Sequence, residues 1–200
     1  MIDWICTITF WIGFYRVMGA IISMLTYISN HFKSGSIDLK DKYGDNSWVV
    51  ITGGANGIGA AFAKQFAKKG FNIFVWDWNK EDIEKVEKDI QSINGAVEFK
   101  GVQKDLKAGA GKKFYEGLYE DIKDLDIAIF MNNVGTGSYK PYHEHSHQTV
   151  SDTIKLNSIL PAAISSLILK KQLTRGKKSA LLTMSSASGL APFSNLPLYS

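Results

Sequence analysis

One glycine-rich turn constrains this chain more than any other feature. Trp48–Thr52 (WVVIT) is an apolar, β-branched run of strand character. It leads straight into Gly53-Gly54-Ala55-Asn56-Gly57-Ile58-Gly59, and a helical pattern follows from about Gly57 to Lys69. In a strand–turn–helix unit of this kind the backbone N–H groups can close on a phosphate. The anion then sits at the helix N-terminus, where the aligned peptide dipoles favour negative charge. A glycine turn alone says little, but in this setting it points to the pyrophosphate of a dinucleotide.

The rest of the chain repeats the alternation. Phe71–Asp77 (FNIFVWD) reads as a second strand. Asn79–Ile93 reads as a helix with Ile83, Val86, Ile90 and Ile93 on one face. Val97–Gln103 is a third strand and Lys112–Ile122 a helix. Asp126–Met131 (DIAIFM) is almost continuously apolar, as in a parallel strand covered on both faces. A long helix is expected over Gln148–Gln172 despite Pro161, then a strand at Ser179–Thr183. This order predicts an α/β fold, a doubly wound parallel sheet of the Rossmann type. Nothing in the chain repeats and no tract is of low complexity.

The N-terminus is different in kind. Residues 4–30 (WICTITFWIGFYRVMGAIISMLTYISN) carry a single charge, Arg16. About 20 apolar residues span a bilayer, so the length suits an N-terminal hydrophobic helix acting as a membrane anchor. Arg16 near its middle would cost about 3 kcal/mol on insertion scales; snorkelling or an interfacial placement lowers that cost. The stretch is too long for a cleaved signal peptide and lacks a basic leader. No Lys or Arg precedes it, whereas Lys33, Lys40 and Lys42 follow it, which places the downstream part in the cytosol. Residues 1–30 are thus read as the anchor segment, 31–47 as a polar linker and 48–200 as the dinucleotide-binding and catalytic domain. The single cysteine, Cys6, forms no intramolecular bridge and agrees with a reducing compartment. The net charge of +4 comes from lysines spread among acids, with only Arg16 and Arg175 as arginines. That pattern argues against nucleic acid as a partner. His143, His145 and His147 alternate and would share a face on a strand, but a polar surface loop explains them and no metal is expected.

The spacing Thr52-Gly53-x-x-x-Gly57-x-Gly59 resembles the fingerprint of the short-chain dehydrogenase/reductase family. Asn132-Asn133-Val134-Gly135 resembles that family's motif at the end of the fourth strand. Asn157 falls where the family has an asparagine in the next helix, and Ser186 lies 13 residues before Tyr199, as its Ser and Tyr do. The resemblance implies a cofactor site at Thr52, Gly53, Gly57, Ile58, Gly59, Asn133 and Gly135, with Asp105 and Leu106 at the adenine. Asp77, about 20 residues after the glycine turn, can accept both adenosine ribose hydroxyls and would repel a 2′-phosphate. It favours NAD(H), with NADP(H) as the alternative; Trp78 stands where NADP-dependent members tend to carry arginine.

The resemblance further implies that Tyr199 is the general acid/base, that Ser186 orients the substrate oxygen and that Asn157 supports a proton-relay water. A phenol with a pKa of about 10 needs a nearby cation to work at neutral pH. The family supplies a lysine four residues after its tyrosine, a position beyond Ser200. The sheet is therefore expected to be incomplete at the C-terminus, and the 200 residues alone are expected to show no turnover. The hydrophobic N-terminus, Asp38–Gly44 before the first strand, Tyr142-His143-Glu144 and Ser185–Gly189 resemble one branch, the membrane-bound very-long-chain 3-oxoacyl-CoA reductases and related 17β-hydroxysteroid dehydrogenases. That branch implies an endoplasmic reticulum membrane enzyme acting on a fatty-acyl or steroid ketone or alcohol. Its elongation reductases use NADPH, which stands against Asp77. The alternative is a truncated, inactive relative that binds a cofactor or a partner protein. The family often assembles through its long helices, so a homo-oligomer is left open.

Overall fold

The computed structural model describes residues 2–34, 38–109, 111–190 and 193–199 and divides into two compact units, Met1–Asp38 and Leu39–Ser200. The first unit is one helix, α1 (Ile2–Ser34). Its stretch Asp3–Phe32 is long and apolar enough to cross a membrane. At 1.5 Å per residue those 30 residues rise about 45 Å, against a hydrocarbon core of about 30 Å. Trp4, Phe10, Trp11 and Phe14 are exposed along it. The hydroxyls of Thr7, Thr9 and Thr26 each donate to the carbonyl four residues back, so these polar groups are satisfied within the helix.

The second unit opens with a short helix, α2 (Leu39–Tyr43), inside the stretch read from sequence as linker. Leu39 and Tyr43, one turn apart, pack on the hydrophobic core and hold it in place. Residues 35–37 of that stretch lie outside the described residues. The alternation then follows in order: β1 (Trp48–Thr52), α3 (Gly57–Lys68), β2 (Asn72–Asp77), α4 (Lys80–Ile93), β3 (Phe99–Gln103), α5 (Lys112–Ile122) and β4 (Ile127–Asn132). After a 3₁₀ turn at Tyr142–Glu144 come α6 (His147–Ile154), α7 (Leu160–Leu173) and β5 (Ala180–Thr183). The five strands form one parallel sheet in the order β3-β2-β1-β4-β5.

Side-chain alternation on the central strands builds two cores. Val49 and Ile51 of β1, Ile73 and Val75 of β2 and Ile129 and Met131 of β4 pack with Ala63, Phe66, Val86 and Ile90 under α3 and α4. Val50, Phe74, Trp76 and Phe130 point the other way, against Leu118 and Ile122 of α5 and Leu160, Ile164 and Ile168 of α7. Every residue of β2 and β4 is buried, which is why both are apolar apart from polar end residues. Ile93, expected on the buried face of α4, ends that helix and is exposed.

The helix expected over Gln148–Gln172 is not continuous. A π-helical segment, Lys155–Ile159, separates α6 from α7. Pro161 has no N–H to give the carbonyl of Asn157, four residues back, and the ladder widens. Leu160 N donates instead to Lys155 O, five residues back.

Candidate functional site

The chain order reverses in the sheet between β1 and β4, and a crevice opens beyond the C-terminal ends of strands at such a point. A cavity of about 550 Å³ lies there, among Gly53, Asp77, Asp105, Leu106, Asn133 and Gly135. All six were expected at a cofactor from the sequence.

Glycine shapes the turn after β1. Gly53 and Gly57 have φ of 63° and 53°. A Cβ on Gly59 would overlap the Gly53 carbonyl oxygen and the Asn133 side-chain amide, so α3 lies directly against the turn. Asn56 caps α3, its Oδ1 accepting from Gly57 N at 2.6 Å. Thr52 is buried, and its Oγ1 accepts from the backbone N of Asn133 and Val134 at 3.0 and 3.1 Å. The Asn133 amide donates to the carbonyls of Thr52 and Gly53 at 3.1 and 2.9 Å. Thr52 and Gly59 thus brace the turn, Gly57 and Ile58 are exposed, and none of the four lines the cavity.

Asp77 ends β2, buried at 6% exposure. Its Oδ2 accepts from Ala55 N at 3.1 Å and its Oδ1 from Asn79 N at 3.3 Å. A carboxylate has about four acceptor sites, so these two bonds leave capacity for a ligand. Asp105 Oδ1 accepts from Lys107 N and Ala108 N, forming a turn that presents Leu106.

Of the three expected catalytic residues, Asn157 and Tyr199 contact one loop, and Ser186 is linked to Tyr199 through Ser188. Asn157, in the π-helical segment, accepts from Thr136 N at 2.9 Å and donates to Thr136 O at 2.7 Å. The Tyr199 ring lies against Gly137, where an added Cβ would be 3.2 Å away. Ser188 Oγ lies 2.8 Å from Ser186 Oγ and 3.3 Å from the Tyr199 carbonyl oxygen. Thr136 and Gly135 also line the cavity, so the loop Gly135–Gly137 joins the two groups. Ser186 and Tyr199 stand beside the cavity, outside its lining. The three histidines do not share a strand: His143 is in the 3₁₀ turn and His147 starts α6. Among the described residues no three His, Cys, Asp or Glu side chains cluster as a metal site would require.

The glycine cradle at the N-terminus of α3, the buried acceptor at the end of β2 and the cavity between them suit an extended dinucleotide. Comparison with known proteins agrees with that geometry. Residues 47–200 match the family model described as short chain dehydrogenase. The chain belongs to this family. A very-long-chain 3-oxoacyl-CoA reductase of Coccidioides immitis is 33% identical over 156 residues, covering 77% of this chain and 44% of that protein. An inactive hydroxysteroid dehydrogenase-like protein 1 of Homo sapiens is 31% identical over 197 residues, covering 95% of this chain and 57% of its own. The chain spans about half the length of these curated relatives. A bulky-bulky ketone specific alcohol dehydrogenase from Comamonas testosteroni superposes with a TM-score of 0.70 at 23% identity, over 78% of this chain and 61% of that one. That likeness supports the fold.

Several residues around the cavity were not singled out from sequence. Asn56, Asp82, Lys104, Lys107 and Thr136 all line it. Asn56-Gly57 before a helix is an N-cap signature, and that signal was readable. Lys104 and Asp82 gain their places from partners distant in sequence. Lys104 Nζ is ion-paired to Asp121, which also accepts from Trp76 Nε1 at 2.9 Å.

Proposed function

We propose that this chain is the nucleotide-binding and catalytic part of a membrane-associated oxidoreductase that uses NAD(H). Its substrate would be a lipid-like ketone or alcohol, a 3-oxoacyl thioester or a steroid. The observation that carries the cofactor reading is Asp77, a buried carboxylate that lines the cavity and has acceptor capacity to spare. It suits two ribose hydroxyls and opposes a 2′-phosphate. The names of the relatives, a 3-oxoacyl-CoA reductase and a hydroxysteroid dehydrogenase-like protein, supply the substrate class.

Within this reading the glycine turn and the N-terminus of α3 hold the pyrophosphate, and Asp105 and Leu106 face the adenine. The bound nicotinamide would supply or accept hydride. Tyr199 would exchange the proton with the substrate oxygen, which Ser186 fixes by hydrogen bond. Asn157, pinned to both backbone groups of Thr136, would hold the relay water and the loop Gly135–Gly137 in register. A second reading, a chain that binds nucleotide without turnover, draws support from the relative whose name marks it as inactive.

Titration of NADH and NADPH into the full chain, followed by nucleotide fluorescence, tests the cofactor reading. NADH is expected to bind more tightly, and Asp77→Ala to narrow the gap between the two affinities. Tighter NADPH binding to the unmodified chain would overturn the preference. Failure of both nucleotides to bind would remove the site.

Residues 1–30 would anchor the chain in the endoplasmic reticulum membrane, residues 31–47 would connect, and residues 48–200 would face the cytosol. Support comes from α1, with its 30-residue apolar stretch and internally satisfied threonines. The expressed chain should stay in the pellet after carbonate extraction. Release into the supernatant would count against the anchor.

A further inference from the structure

We propose that Asp82 is a second specificity-determining carboxylate of the nucleotide cavity, held there by Asn56 and acting against a 2′-phosphate. This inference rests on the nucleotide reading above and extends it beyond Asp77. Asp82 lies in the first turn of α4, and Asn79 caps that helix by accepting from Glu81 N and Asp82 N at 2.9 and 3.3 Å. The turn of α4 therefore presents the Asp82 side chain to the cavity at a fixed height. Asn56 Nδ2 donates to Asp82 Oδ2 at 3.0 Å, across 26 residues of sequence. Asn56 is itself fixed, since its Oδ1 is taken by Gly57 N. The amide thus couples the glycine turn to α4 and holds the carboxylate at the wall of the cavity that Asp77 also lines.

The charges facing this end of the cavity make the effect directional. Asp77, Asp82 and Asp105 are acidic; Lys104 and Lys107 are basic. Lys104 is occupied by Asp121 and by the carbonyl of Gly117. Lys80, at the start of α4, lies 3.8 Å from Glu84. Lys107, whose backbone N donates to Asp105 Oδ1, sets one positive charge against the three carboxylates that line the cavity. A nucleotide with a 2′-phosphate would add close to two negative charges to a cavity already lined by three carboxylates. A nucleotide with free ribose hydroxyls would meet acceptors.

The test measures the ratio of NADPH to NADH affinity in the full chain for Asp82→Asn and for Glu81→Gln. Glu81 is in the same helical turn but is exposed and does not line the cavity, so it reports any loss of helix-terminal charge alone. Asp82→Asn is expected to raise the ratio about 5- to 10-fold, and the gain to shrink at high salt. Glu81→Gln is expected to leave the ratio where it was. An unchanged ratio in Asp82→Asn, or an equal rise in Glu81→Gln, would overturn the role of Asp82 while NADH binding still upheld the nucleotide site. Loss of binding for both nucleotides in the unmodified chain would instead overturn the site, and this inference with it. A urea midpoint measured for each variant keeps the comparison among folded chains.

Discussion

Gly59→Ala is expected to cost about 3 kcal/mol of stability and to dismantle the turn after β1. The new methyl group would fall on the Gly53 carbonyl oxygen and on the Asn133 amide that bonds it. Neither is the free end of a flexible side chain. The Gly53 carbonyl is set by its turn, and Asn133 is bonded to Thr52 as well. To admit one carbon, α3 would have to move off the strand, taking the Asn56 cap with it. Gly57→Ala is the matched comparison. Its φ of 53° penalises alanine, but nothing lies within 4 Å of the added atom. It should cost about 1 kcal/mol, the strain of the left-handed region alone. Urea denaturation of the full chain reads both. A Gly59→Ala midpoint no lower than that of Gly57→Ala would show that close helix–strand approach does not shape this loop.

The contrast between these two glycines also shows what a sequence displays. A strand buried on both faces must be apolar throughout, so β1 and β4 could be placed from composition of the run alone. Asp77 stood out for the opposite reason, as a charge closing such a run. The helix Lys112–Ile122 was readable because Leu118 and Ile122 fall one turn apart on an otherwise polar surface. The five residues Leu39–Tyr43 offered too short a period, and their helix depends on a core assembled from distant segments. The break at Lys155–Ile159 had a visible cause in Pro161, but whether a helix ends, kinks or widens there is decided by packing on both sides. The Asn56–Asp82 and Lys104–Asp121 pairs were invisible for a simpler reason. Their members are 26 and 17 residues apart, and only the sheet brings them together.

Arg175→Met is the second large loss expected, again about 3 kcal/mol, and it carries a pH signature. The Arg175 side chain is only 6% exposed and joins three parts of the domain. Its guanidinium grips both oxygens of Asp126, just before β4. It also donates to Lys178 O at 2.8 Å and Ser179 Oγ at 3.0 Å, leading into β5, and to Tyr43 O at 2.9 Å at the end of α2. Methionine keeps the stem and removes all of these donors, leaving the acceptors to find water. Arg175→Lys should recover little, because an ammonium cannot reproduce the planar fork. The same contact sets the titration of Asp126. The hydrogen bond from Arg175 holds that carboxyl below the usual carboxylate range, and the nearby positive charges of Arg175, Lys177 and Lys171 add to it. A carboxyl whose pKa is lower in the folded state stabilises the fold above its unfolded value, near 4. That contribution disappears as the pH falls through the folded value. Urea midpoints of the unmodified chain should therefore fall as the pH drops below about 5, and Arg175→Met and Asp126→Asn should both flatten that part of the curve. An acid slope that stays the same in both variants would mean that the Asp126–Arg175 pair holds its geometry without contributing to the stability of the fold.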